Sequence, residues 1–275
     1  SKTPSGETRV GHIYYSACKI FNVIRGRPIG VMTWGSGSIG TSSISTLCKD
    51  LRKRFEDSSA ENEEWYVDAD DYSIEHIAQL VRKFMYDELY VPFFEDWDEK
   101  PSLHFIVSGY STGADMAEEY QINVEKGKCT DPFAVRPKSE CGMTWGGETE
   151  AIHRVVLGYG KRLGEVLETR LKVPESQIKP AMETIGQNLF VPLITPPMPI
   201  QDAIDLAGFL VDLTIKFSQF SPGAQTVGGP MEIAAITKHE GFKWVRRKHY
   251  YHADLNSEVY DELRLSELLS RHFED

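Results

Sequence analysis

Residues 231–247 read MEIAAITKHEGFKWVRR. Met231–Thr237 and Phe242–Arg247 are rich in β-branched and aromatic residues, and the polar Lys238-His239-Glu240-Gly241 between them ends in glycine. This reads as strand, tight turn, strand. Two strands joined so closely must run antiparallel, because a parallel pair needs a crossover of a dozen or more residues. A second such pair lies upstream. Leu103–Ser108 (LHFIVS) is apolar almost throughout, and in Glu119–Val124 the apolar Tyr120, Ile122 and Val124 alternate with polar neighbours; Gly109–Asp115 connects the two. Further upstream, Pro28–Trp34 (PIGVMTW) reads as a buried strand that runs into a glycine turn.

The helices come between the strands in pairs. Ile44, Leu47, Cys48, Leu51 and Phe55 share one helical stripe, and Ile74, Ile77, Ala78, Val81, Phe84 and Met85 form another after Ser73, a natural N-cap, with the helix stopping near Pro92. A third helix is expected after Gly146-Gly147, with Ile152, Val155, Val156, Tyr159, Leu163 and Val166 inward. A fourth is expected after Pro199, apolar nearly all round from Ile204 to Phe217, as suits a helix held between layers. Pro180 argues against one regular helix through Pro174–Pro192. Lys126–Cys141 reads as irregular loop, and the charged tail over 254–275 reads as a short helix. No internal repeat is expected. Strand, helix pair, strand pair, helix pair and strand pair together predict an α+β fold: a four-layer αββα sandwich of two antiparallel sheets flanked by helices.

Composition narrows the function classes. The formal net charge of −11 opposes non-specific nucleic-acid binding, and no apolar run approaches the length that crosses a bilayer. Cys18, Cys48, Cys129 and Cys141 have no ligand spacing and read as reduced thiols of a cytoplasmic protein. No cofactor or metal is expected. His249 and His252 lack a third ligand, and Asp68, Asp70 and Asp71 lack the glycine and terminal glutamate of a calcium loop. Glu118-Glu119 and Glu61–Glu64 read as solvated faces, and Arg246-Arg247-Lys248-His249 as a solvated strand end. Gly35-Ser36-Gly37-Ser38-Ile39-Gly40 matches GxGxxG, but no second parallel strand ending in an acid follows it. It reads as a strand-to-helix turn, not a dinucleotide fingerprint.

Several segments, taken in order, resemble the proteasome β-type subunits of the N-terminal-nucleophile hydrolase superfamily. Ser1-Lys2-Thr3 is similar to the end of that family's Asp-Ser-Arg-x-Thr segment. Lys19-Ile20 is similar to its active-site lysine followed by an aliphatic residue, and Pro28–Gly37 to the strand and glycine turn before its first helix. Val227-Gly228-Gly229-Pro230 before the final hairpin is similar to its penultimate helix-to-hairpin junction, and Gly-aromatic-x-Trp-Val is the most specific piece. The resemblance covers most of the chain. It implies a single domain over residues 1–275 that lacks its first strand, with an insertion at about 172–199.

What the resemblance implies chemically is a threonine-type peptidase or amidohydrolase, acting on peptide or protein substrates. Its nucleophile is a mature N-terminal residue whose own α-amine, with a pKa near 8, serves as the base. Lys19 would be the active-site lysine and Gly35 the oxyanion-hole amide, with Gly146, Gly147 and Thr226 in possible supporting positions. Assembly into a homo-oligomeric ring, with an ATPase partner as a further implication, follows from the same resemblance. The chain departs from the family in that Ala224–Val227 stand where an Asp and a Ser are expected, with only Thr226 offering a hydroxyl. The nucleophile is expected upstream of Ser1, since Ser1–Glu7 is polar and turn-rich, so this chain alone is expected to be inactive. The alternatives are a non-catalytic ring or scaffold subunit, or a small-molecule amidase, on the same fold.

Overall fold

The computed structural model describes residues 17–68, 70–223, 225 and 227–248. Strand β1 (Ile20–Phe21) pairs antiparallel with β2 (Ile29–Gly35), which leads through a small hairpin, β3 (Ser38–Ile39) and β4 (Ser42–Ser43), into helix α1 (Ile44–Glu56). Ser43 caps α1 by accepting the Thr46 N–H at 3.1 Å, and Ile44, Leu47, Cys48, Leu51 and Phe55 are all buried, as the stripe requires. Helix α2 (Ile74–Arg82) starts at the Ser73 cap, where the side chain accepts from His76 N–H. It continues through π turns over Lys83–Tyr90 and closes in α3 (Val91–Phe93), with Pro92 inside the last turn. The wide turns are pinned by two phenols: Tyr86 donates to Gly127 O (2.8 Å) and Tyr90 to Pro101 O (2.6 Å).

Strands β5 (Leu103–Gly109) and β6 (Glu118–Glu125) follow, then the short β7 (Lys128–Cys129) and β8 (Phe133–Ala134), both paired to β6. The two short strands add order to a segment expected to be loop. The main sheet runs β1-β2-β5-β6-β7, antiparallel throughout. The register aligns Val31 with Val107 and Val107 with Tyr120, and also Phe105 with Ile122. These residues therefore share one face, and with the buried stripes of α1 and α2 they make the principal core. This antiparallel order excludes the parallel dinucleotide fold, and GSGSIG runs from the end of β2 through Ser36-Gly37 into β3.

The C-terminal half is helical before it returns to strands. Helix α4 (Glu150–Val156) and α5 (Leu163–Thr169) replace the single third helix expected. The chain breaks between them at Gly158, whose φ of 77° a helix cannot use. Helix α6 (Glu175–Leu189) passes through Pro180 as one helix, against expectation. None of its residues is buried, and Ser176, whose carbonyl loses its partner at Pro180, is exposed to water.

Helix α7 (Ile200–Phe220) buries only Leu210 and Thr214, while Phe209 is 53% and Phe220 81% exposed; the expectation of burial between layers fails for the chain by itself. Strands β9 (Ile233–Thr237) and β10 (Gly241–Arg246) form the final hairpin. A Cβ on Gly30 of β2 would lie 2.9 Å from Ile236 Cδ1 and 3.1 Å from Phe242 Cε2, so the hairpin packs on the sheet face opposite α1 and α2. On its other side, Gly208 of α7 approaches Ile233. The protein is thus a mixed α+β fold of antiparallel sheets and helices, and among the described residues the second sheet is this hairpin. The tail over 254–275 lies outside the described residues.

Candidate functional site

The end of β2 meets the C-terminal helices at a cavity of about 440 Å³. Met32, Thr33 and Trp34 form its β2 wall, and Met143, Thr144, Trp145 and Gly146 form a second wall. The α7 residues Leu206, Leu210 and Thr214 supply a third. Trp34 is held rigidly. Its indole stacks on the His104 ring at 5.1 Å with the planes 9° apart. On the indole also sits Gly146, where an added Cβ would come 2.4 Å from Trp34 Cε2. The Trp34 side chain therefore requires glycine at 146, and Gly147 takes the left-handed conformation (φ 79°) beside it. Ile152, Val156 and Leu210 form a small second core, and Met143, Trp145 and Leu206 extend it to the cavity.

Lys19, one residue before β1, also lines the cavity. Its carbonyl accepts from Thr33 N–H at 2.9 Å and its own N–H donates to Glu232 Oε2 at 3.0 Å, so the backbone on both sides of the side chain is fixed. Burial pushes the Lys19 ammonium below the ordinary lysine value, and the Lys248 cation adds repulsion. An ammonium against apolar walls is a perturbed group in a concave site, the combination that marks functional candidates.

Two of the sequence-derived residues, Lys19 and Gly146, thus line one cavity. Gly35 follows Trp34 directly but does not line it. Its φ is 91°, and a Cβ there would sit 2.5 Å from the Ser102 carbonyl oxygen, which accepts the next N–H, from Ser36, at 2.8 Å. Conformation and close approach both demand glycine at 35. Gly147 touches the site only through the Trp34 stem. Thr226, His249, His252 and Ser1 lie outside the described residues.

The hydroxyls of the cavity are all engaged. Thr33 donates to His104 O (2.8 Å), Thr214 to Leu210 O (2.9 Å) and Thr144 to Glu119 Oε2 (3.3 Å). The arrangement can therefore hold an apolar group beside a cation; of these hydroxyls only Thr144 meets a carboxylate, and Glu119 is already paired with Arg136 at 2.9 Å.

Sequence reasoning missed the two tryptophans. Their signal was present: the tetrapeptide Met-Thr-Trp-Gly occurs twice, at 32–35 and 143–146, and both copies contribute to the cavity lining, where Gly146 packs against Trp34. Glu118 also departs from expectation. It is 4% exposed and no solvated face, accepting from Ser111 Oγ at 2.7 Å and pairing with Lys138 at 2.9 Å. Glu119 is likewise held, by Arg136 at 2.9 Å. The chain matches no family model and no curated protein.

Proposed function

We propose that this chain is a proteasome-like, N-terminal-nucleophile peptidase subunit, with Lys19 as its active-site lysine. The observation that carries the reading is the half-buried Lys19, which with Gly146 lines the apolar cavity. In such a site the lysine supplies the positive charge that favours an alkoxide, and the apolar walls strengthen that field by excluding water. The engaged Thr33, Thr144 and Thr214 hydroxyls leave the nucleophile to come from outside the described residues. Gly35, at the tight turn beside Trp34, is the proposed oxyanion donor.

The fold proposal accompanies this one. Helices α1 and α2, the main sheet, the β9–β10 hairpin and α7 follow one another as packed layers, which supports the four-layer αββα sandwich. The exposed phenylalanines of α7 support assembly into a ring, because an apolar helix face is stable in water only when covered. The same face equally serves a non-catalytic scaffold subunit, so activity must separate the two.

Hydrolysis of a fluorogenic peptide amide by the whole protein is the test. Lys19→Ala should lower turnover by roughly 10²–10⁴-fold, the usual worth of a positioned proton-transfer group, without changing the circular dichroism spectrum. Unchanged turnover removes Lys19 from the mechanism, and no turnover in the wild-type protein favours the scaffold.

A further inference from the structure

A second cavity, of about 280 Å³, opens on the other side of the Cys18–Ile20 segment from Lys19's cavity, and its lining is unlike the rest of this acidic protein. Arg25 from the β1–β2 loop, Lys49 and Arg52 from α1, and Arg247 beyond β10 all contribute to it, beside Phe242 and Trp244 of the hairpin. Ser45, Lys49 and Arg52 are spaced i, i+4 and i+7, so α1 presents one polar face here while its opposite stripe fills the core. Arg247, exposed just past the end of β10 as expected, also lies over the Trp244 ring at 5.4 Å.

Four cations gathered in one concavity repel one another unless anions compensate them. Among the described residues none of the four has a carboxylate within ion-pair distance. Two carboxylates lie nearby and offset part of this charge: Glu232, which accepts the Lys19 N–H (3.0 Å), and Glu56, which accepts the Arg25 N–H (3.1 Å) and acts favourably on Arg52. Arg52 shows the deficit most clearly. One arm of its guanidinium donates to Asn22 O, while its Nε–H is buried with no hydrogen-bond partner. Burial, then the neighbouring Arg25, holds its pKa below the usual arginine value. A buried unpaired donor on a charged group is costly, and a ligand that accepts from it relieves that cost.

We propose that this cavity binds an oligophosphate group. Three guanidinium forks and an ammonium, opposed by Glu232 in the lining and by Glu56 beside it, leave an excess of about two positive charges, which matches a multiply charged anion with tetrahedral oxygens. The aromatic pair Phe242–Trp244, with ring centroids 5.2 Å apart, closes one side. The site is independent of the peptidase reading, since none of its four cations belongs to the Lys19 cavity.

Isothermal titration of the whole protein with inorganic tripolyphosphate, at two salt concentrations, tests the assignment. One site per chain is expected, weakening as salt rises. Lys49→Gln and Arg247→Gln, which change exposed side chains and leave the Arg52–Asn22 contact intact, should each weaken binding about 10- to 100-fold, as for loss of a charged hydrogen bond. Lys172→Gln, far along the chain on an exposed turn, should leave it unchanged. Tighter binding of ATP than of tripolyphosphate identifies a nucleotide as the source of the phosphates, and equal binding identifies the oligophosphate itself. Absence of saturable binding, binding indifferent to Lys49→Gln and Arg247→Gln, or equal binding of citrate overturns the proposal.

Discussion

Lys19 is the residue on which sequence and structure bear most directly. Its ammonium is destabilised by burial, so the unfolded chain binds this proton more tightly than the folded one. Folding stability therefore rises with pH between the depressed folded pKa and the ordinary value of 10.5, and the full penalty stands below the depressed pKa. Lys19→Met should raise the melting temperature at pH 7, with the gain shrinking as pH approaches 10.5; a lower melting temperature at pH 7 would show the ammonium to be stabilised instead. A lysine kept at a cost in stability is what a functional role predicts, and the same variant should lose peptide hydrolysis. Gly35 makes the complementary case. Gly35→Ala places a Cβ 2.5 Å from a backbone oxygen at φ 91°, so at least about 1–3 kcal/mol should be lost in urea denaturation. That loss is structural and comes whether or not the Gly35 amide serves an oxyanion. Lys19 was singled out through the family resemblance of its lysine-aliphatic pair, and the structure places it in the lining of a cavity. The cavity role of Trp34 and Trp145 was not legible, because only the chain's return after more than a hundred residues brings the two Met-Thr-Trp-Gly segments to one cavity.

Among the elements, those with strict periodicity form as the pattern dictates. The α1 stripe is buried residue for residue, and Phe55 at its end is 0% exposed, so Phe55→Ala should cost about 3–5 kcal/mol in the same denaturation experiment. The helices of the C-terminal half depend more on context. Helix α6 tolerates Pro180 because Ser176, whose carbonyl it orphans, is exposed to water, and Thr184 Oγ1 in turn bonds the Pro180 carbonyl at 2.9 Å. Restoring the missing N–H with Pro180→Ala should strengthen α6 locally by up to about 3 kcal/mol. The gain should appear as slower amide hydrogen exchange across Glu175–Leu189; unchanged exchange would show that the helix is held by its contacts with α5. The third helix shows the opposite failure. Its apolar spacing runs on from Ile152 to Val166, but Gly158 and Gly160 sit where the turn must form, and backbone conformation outweighs the spacing.

On the scale of the whole molecule, apolar surface is unevenly covered. The α1–α2 side of the main sheet is sealed by a continuous core, whereas α7 leaves Phe209 and Phe220, with Leu213 between them on the same helical face, open or half-open. If that face is the proposed ring contact, sedimentation should give a mass well above the 31.1 kDa of one chain. Phe209→Asp should return the protein to single chains with an unchanged fold; a wild-type protein that sediments as one chain removes the ring. The amino-acid sequence alone determined the antiparallel pairing of the long strands and the α1 and α2 stripes, because period and turn chemistry act over a few neighbouring residues. Tertiary structure decided the rest: the burial of Glu118, the tryptophan-walled cavity beside Lys19, and the four cations from three distant segments around one pocket. Those features are contacts between residues far apart in the chain, and no local pattern encodes a contact whose two halves are set by the packing of the sheet, α1, α7 and the hairpin.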